Sequence, residues 1–330
     1  MKNILITGGA GYIGSHTVRE LKKQKFNPLV LDNLSKGHKK SIKGIEFVKG
    51  DLLNKVFLDR LFKKRKIDAV VHFAGSIEVG ESVVNPSKFY WNNVVGSINL
   101  FDSMIQNKVF NLVFSSSAAV YGNLIKTPIQ EDDIKKPTNP YGCTKLIIEQ
   151  ILDNYDKAYN LKSVCLRYFN AAGADKAGDI GEDHDPETHL IPRVIFSLLG
   201  KVRKLEIFGD DYKTKDGTCV RDYIHVADLA RAHVLALNFL KKEKKSDRFN
   251  LGTEKGFSNK QVLEAVEKVT GQKVNYKISK RREGDPAILV ASNKKAKKIL
   301  NWNLTESLLE NIIKSAWSWH KNNPKGFGEK

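Results

Sequence analysis

The stretch Lys2–His16, KNILITGGAGYIGSH, runs a short apolar segment straight into closely spaced glycines, and few folds accept that order. A run such as "NILIT" has no polar alternation, so it predicts a strand buried on both faces of a parallel sheet. Gly9, Gly11 and Gly14 fit G-x-G-x-x-G, while Gly8, Gly11 and Gly14 fit a related three-spaced form; both open a helix directly after the strand. Glycines at these positions permit a tight turn and let a pyrophosphate approach the backbone at the positive end of the helix. Asp32 ends the second apolar run, "NPLVLDN". A carboxylate there accepts from the adenosine ribose hydroxyls and repels a 2′-phosphate, which selects NAD over NADP.

The same rhythm continues down the chain. Strand-like "IEFVKGD", "DAVVHFAG", "NLVFSSS" and "KSVCLRYFN" alternate with helical "NKVFLDRLFKKRK", "NNVVGSINLFDSMIQN" and "LIIEQILDNYDKAYN". Alternation of this kind predicts an α/β fold, a Rossmann-like doubly wound parallel sheet. With 330 residues, 41% of them hydrophobic, the chain is long enough for a second, smaller α/β lobe. The rhythm breaks at "GADKAGDIGEDHDPETH", which reads as loop, lobe boundary and lid. The expected division is 1–172 for the dinucleotide lobe, with 225–252 returning to it, and 173–224 plus 253–330 for a substrate lobe.

A formal charge of +18 raises the question of a nucleic-acid partner. The basic residues are scattered, as in "KKQK", "KKRK" and "KKEKK", and read as solvated helix faces, so neither nucleic acid nor membrane is expected as a partner. Cys143, Cys165 and Cys219 have no paired spacing and no metal pattern, which suits a reducing, cytoplasmic setting. No metal ligands are expected. The N-terminus enters a strand within two residues, unlike a secretory leader.

A second chemical pattern is "NPYGCTK", in which Tyr141 and Lys145 stand at i and i+4 on one face of a helix starting at Pro140. Lowering a phenol's pKa by three units requires roughly 4 kcal/mol. One ammonium at roughly 6 Å supplies about 3 kcal/mol at an effective dielectric near 20. A bound oxidised nicotinamide, itself cationic, would supply the rest. Upstream, "FSSSAAVYG" sets Ser117 at the end of a sheet strand, where open α/β folds place ligands and where a hydroxyl can stabilise a developing oxyanion. Asp51 ends the third strand, either to meet the adenine edge or to cap a helix.

The series "TGGAGYIGSH", "HFAG", "SSSAAVYG", "PYGCTK", "RYFNAAG", "GTCVRDYIHV" and "RREGD" resembles the extended short-chain dehydrogenases/reductases, most closely their UDP-hexose 4-epimerases, nearly from end to end. The resemblance implies that Tyr141 takes the proton of the sugar 4-hydroxyl while hydride passes from C4 to tightly held NAD. A 4-keto sugar then turns and is reduced on its other face, interconverting UDP-glucose and UDP-galactose. Ser117 would orient the oxygen, and Lys145 would hold the nicotinamide ribose and lower the phenol pKa.

By the same resemblance NAD contacts Gly8, Gly11, Tyr12, Ile13 and Gly14 in the first turn, and Asp32, Asn33, Asp51 and Leu52 after the second and third strands. Phe73, Ala74, Gly75, Asn92 and Ser115 would line its middle, and Tyr168 and Phe169 would lie beside the nicotinamide. Asn170, His189, Leu190, Phe208, Arg221, Arg282, Asp285 and Leu289 would contact the UDP-sugar, the two arginines on its diphosphate. A homodimer is implied through the helices around Val94–Ile105 and Leu146–Tyr155.

Ala118 and Ala119 stand where related dehydratases carry an Asp-Glu pair, which argues against elimination. Three positions depart from the epimerase pattern. Ile77 replaces a frequent lysine and His189 a frequent asparagine. Leu289 stands where a bulky tyrosine accompanies restriction to non-acetylated sugars, so UDP-GlcNAc and UDP-GalNAc are expected as additional substrates. A non-catalytic NAD-sensing regulator is the alternative from another class; it would be expected to lack the tyrosine.

Overall fold

The computed structural model describes residues 1–123, 126–281 and 285–328. Its frame is one seven-stranded sheet built from β1 (Asn3–Thr7), β2 (Asn27–Asp32), β3 (Glu46–Lys49), β4 (Ala69–His72), β5 (Asn111–Ser115), β6 (Lys162–Arg167) and the strand Asp247–Asn250. From edge to edge the order is Asp247–Asn250, β6, β5, β4, β1, β2, β3, and every pairing is parallel. Strand order reverses between β1 and β4, and the crevice beyond the strand ends at such a switch point is where doubly wound sheets hold ligands. The apolar strand runs exist because both faces are covered. Ile4, Ile6, Val30, Val71 and Val113 pack under one helical layer, Leu5, Leu31, Val70, Leu112 and Phe114 under the other.

The helix Val226–Glu243 lies against the helix Tyr12–Lys23 and leads into the last sheet strand. The long helix expected around Asn92–Asn107 is composite: Pro86–Phe89 runs through a π-helical segment, Tyr90–Val95, into Gly96–Gln106. The second lobe has its own core of Ile191, Val194, Ile207, Val262, Val266 and Ile312, between the helices Leu190–Leu198, Asn259–Thr270 and Leu309–Asn322. Its strands are only two or three residues long. Among the described residues no helix is long and apolar enough to cross a membrane.

Candidate active site

The glycine turn is fitted by contact. Gly8 has φ +69, and a Cβ there would meet the Ala74 nitrogen at 2.6 Å; a Cβ at Gly14 would meet the Gly8 oxygen at 2.3 Å. Side chains at either position would fill the cradle beside the first turn of the helix Tyr12–Lys23. Ile13 packs on the sheet, and the Tyr12 hydroxyl reaches across to the Gly173 carbonyl at 2.5 Å. Asp32 accepts from the Ala10 and Leu34 nitrogens at 3.0 and 2.8 Å, closing the turn after β2. Burial raises its pKa against those hydrogen bonds.

Asn33 donates to Asp51 at 2.9 Å, and Asp51 accepts from the Leu53 nitrogen. The cap of the helix Lys55–Lys64 is Asn54, so the helix-cap role weighed for Asp51 falls to that residue. Leu52 is buried under Gly96. Phe73 and Ala74 both donate their nitrogens to Thr7, while Gly75 sits against Asn93. Asn92 holds Ser76 at 2.9 Å.

The helix Pro140–Tyr159 starts with proline in its first turn and Asn139 accepting from the Gly142 nitrogen at 2.8 Å. A Cβ on Gly142 would strike the Ala119 oxygen at 2.7 Å, so this glycine lets the helix press on the turn that follows Ser117. The result brings the expected trio together. Lys145 is 3% exposed; its Nζ donates to the Ser115 carbonyl at 2.8 Å and lies 5.8 Å from the centre of the Tyr141 ring. Burial pushes this ammonium down to about 8, against the carboxylate of Glu149.

Burial also raises the Tyr141 phenol, the Ser117 hydroxyl lowers it as a hydrogen-bonding partner, and Glu78 raises it further. The balance is upward and Lys145 does not figure in it, so these neighbours leave the phenol protonated and the lowering expected from the lysine is not seen at the Tyr141 hydroxyl. Ser115 Oγ and the Tyr168 hydroxyl are 2.5 Å apart, and Tyr168 packs edge-on to His233. Phe169, Leu146 and Leu289 share one apolar cluster with Val120 and Tyr121.

Two residues behind this surface went unread in the sequence. Glu149 continues the Tyr141–Lys145 face by one more turn, pairs with Arg167 deep inside and accepts from Ser116 at 2.5 Å. Its signal was the i+8 spacing. Asp222, next to Arg221, accepts from the nitrogens of Thr253 and Ala291 at about 3 Å, tying together the segments that follow the strands Asp247–Asn250 and Ile288–Leu289. Burial pushes its carboxyl up to about 6.

On the substrate side, Arg221 pairs with Asp285 across 64 residues. Leu289 lies opposite Arg221 in the strand register. Asn170 donates to the Asp222 carbonyl at 2.9 Å, Phe208 ends the strand Glu206–Phe208, and Leu190 begins the helix Leu190–Leu198. Arg282 lies outside the described residues. Ile77 is exposed, and beside it Lys36 pairs with Glu78 at 3.0 Å while also lining the cavity at Gly11 and Tyr12. His189 turns its Nδ1 onto Glu182. Burial lowers its imidazole, but the Glu182 carboxylate outweighs this and pushes it up to about 9.

Residues 4–252 match the model of the NAD dependent epimerase/dehydratase family. The chain belongs to that family. A UDP-glucose 4-epimerase of Halalkalibacterium halodurans is 52% identical over 98% of this chain and 97% of its own length. The crystal structure of the UDP-glucose 4-epimerase from Brucella ovis in complex with NAD matches with a TM-score of 0.94 and 47% identity, over 96% of this chain and 98% of that one. The UDP-Glc/GlcNAc 4-epimerase of Campylobacter jejuni matches with a TM-score of 0.86 and 43% identity, over 98% of this chain and 100% of that one. As a member of the epimerase/dehydratase family the protein uses NAD, and the glycine cradle, Asp32 and the buried lysine fit that cofactor.

Proposed function

We propose that the protein is an isomerase interconverting UDP-glucose and UDP-galactose through a 4-keto intermediate, with NAD retained between turnovers. The observation that carries this reading is the convergence of Ser117, Tyr141 and Lys145 at the carboxyl end of β5, two strands across the sheet from β1 and its glycine cradle. Bound NAD supplies a reversible acceptor for the hydrogen removed from C4 and a positive charge near the phenol. Tyr141 takes the proton of the 4-hydroxyl through its phenolic oxygen and returns it at the end of the cycle. Ser117 holds the same sugar oxygen as charge develops on it. Lys145, fixed by the Ser115 carbonyl, would meet the nicotinamide ribose. Arg221, steadied by Asp285, and Arg282 hold the diphosphate while the 4-keto hexose turns between the two half-reactions.

Incubation of the purified protein with UDP-galactose and no added cofactor is expected to yield UDP-glucose; absence of conversion under those conditions, with NAD confirmed in the preparation, contradicts the proposal. Leu289 beside Phe169 favours a second reading, acceptance of UDP-GlcNAc and UDP-GalNAc, because an aliphatic side chain leaves room that a tyrosine ring would take. Turnover of UDP-glucose with none of UDP-GlcNAc at high enzyme concentration would remove it. The reading includes a cytoplasmic homodimer. The free thiols Cys143, Cys165 and Cys219 suit the compartment, and exposed Val84 and Trp91, close to the Pro140–Tyr159 helix, offer apolar surface for the pairing.

A further inference from the structure

The segment from Gly173 to His189 leaves the sheet after the strand Asn170–Ala172 and carries no helix or strand before Leu190. It is tied down from the first lobe: Arg19 pairs with Asp175 and Asp179, Lys36 donates to the Asp185 carbonyl at 2.9 Å, and His38 Nε2 lies 3.0 Å from the Asp183 carbonyl. Within it Glu182, His184, Glu187 and His189 follow the pattern E-x-H-x-x-E-x-H and turn inward together. One ligand atom from each lies within 4.8 Å of the other three.

The two carboxylates are nearly withdrawn from water, with side-chain exposures of 3% and 5%, and among the described residues no lysine or arginine forms an ion pair with either. Burying two anions demands compensating positive charge, and among the described residues the groups that pair with them are imidazoles. An independent observation points to what is missing. Glu187 Oε2 is buried with no hydrogen-bond partner and faces His184 Nδ1 at 3.8 Å. The other oxygen of Glu187 lies 3.7 Å from His189 Nδ1, and His184 Nδ1 lies 3.2 Å from Glu182 Oε1. Donors bound tetrahedrally to zinc at about 2.0–2.2 Å are separated from one another by roughly 3.3 Å. With one oxygen taken from each carboxylate, two cross-distances, 3.2 Å together with either 3.8 or 3.7 Å, therefore lie near the edge of such a tetrahedron, while the Glu182–His189 pair, now in direct hydrogen bond, would open and the remaining ligand atoms, within 4.8 Å of one another, would close on the ion.

We propose that Glu182, His184, Glu187 and His189 form a closed site for a zinc-class divalent metal ion. Two nitrogens and two carboxylate oxygens suit that class, and the ion's two charges cancel those of the carboxylates. Four protein ligands leave no open position, so the role is structural. The ion fastens the loop to the start of the helix Leu190–Leu198, with Glu182 held from behind by Trp319, whose Nε1 donates to its carbonyl at 3.0 Å. It takes no part in the chemistry at Tyr141. With His189 Nδ1 committed to the metal, only its Nε2 is left for a bound ligand.

The test uses full-length protein stripped with a chelator and titrated with Co(II), followed by Zn(II). The expected result is one equivalent of cobalt per chain with the visible ligand-field absorption of a tetrahedral site, its displacement by zinc, and a zinc-dependent rise in the thermal midpoint. His184→Gln and, as a second variant that keeps its Oε1 contact, Glu187→Gln are each expected to lose the stoichiometric spectrum. Failure of the stripped wild-type chain to take up one equivalent overturns the proposal whatever the variants do. An unchanged cobalt spectrum and stoichiometry in either folded variant overturns it as well.

Discussion

The Tyr141–Lys145–Glu149 face and the loop 173–189 both bury charged groups, and they balance them by different means. In the first, Glu149 is matched by Arg167, a permanent cation: burial alone would raise the carboxyl, and the Arg167 hydrogen bonds outweigh it and lower it. In the second, among the described residues Glu182 and Glu187 form ion pairs only with His184 and His189. Histidines elsewhere sharpen the contrast. Burial pushes His72 down to about 3 and His16 and His233 to about 4, so these stay neutral, whereas His189 moves up to about 9. The reacting groups thus rest on an ion pair, Glu149 with Arg167, whose charges are fixed across ordinary pH, whereas the loop balances its carboxylates with titratable imidazoles.

The largest expected effect lies on the fixed side. Tyr141→Phe should lower epimerisation by about 10²–10⁴-fold while NAD stays bound, as measured by turnover of UDP-galactose and by cofactor content after unfolding. A smaller loss of turnover would detach the chemistry from that face. Next, Glu149→Gln leaves Arg167 as a buried unpaired cation and should cost about 3–5 kcal/mol in urea unfolding; a loss under 1 kcal/mol would contradict the fixed-charge account.

Acid should unsettle the neutral histidines. Their folded pKa values lie below 6.5, so the unfolded chain binds more protons, and stability falls as pH drops from about 6.5 toward 4. Each such histidine contributes roughly 2 kcal/mol of loss between pH 6.5 and 5. His233→Leu, which removes a ring whose Nε2 has no partner, should flatten the slope of unfolding free energy against pH. The smallest effect is one of selectivity: Leu289→Tyr should reduce UDP-GlcNAc turnover relative to UDP-glucose by about tenfold.

Much of the first lobe was legible because its signals are local. A buried strand abutting Gly8–Gly14, a carboxylate at the end of β2 and an i,i+4 pair after Pro140 each carry their meaning within a few residues. The composite helix was read as regular because its π-helical turn, Tyr90–Val95, leaves no mark in apolar spacing. The second lobe was harder, since the two-residue strands Val220–Arg221 and Ile288–Leu289 are too short to show a period. Arg221 meets Asp285 only through the folded chain. Glu149 was hidden for a different reason: its partner Arg167 lies in β6, where a charged residue in an apolar run reads as a strand end. The loop histidines fell in a stretch whose composition signals only irregular backbone.

The central claim is that the sugar's C4 hydrogen is removed and returned within one enzyme-bound cycle. Its most direct measurement is conversion of UDP-galactose deuterated at C4 in ordinary water, with mass analysis of the UDP-glucose formed. The account predicts full retention of deuterium at C4; product carrying solvent hydrogen there would contradict it.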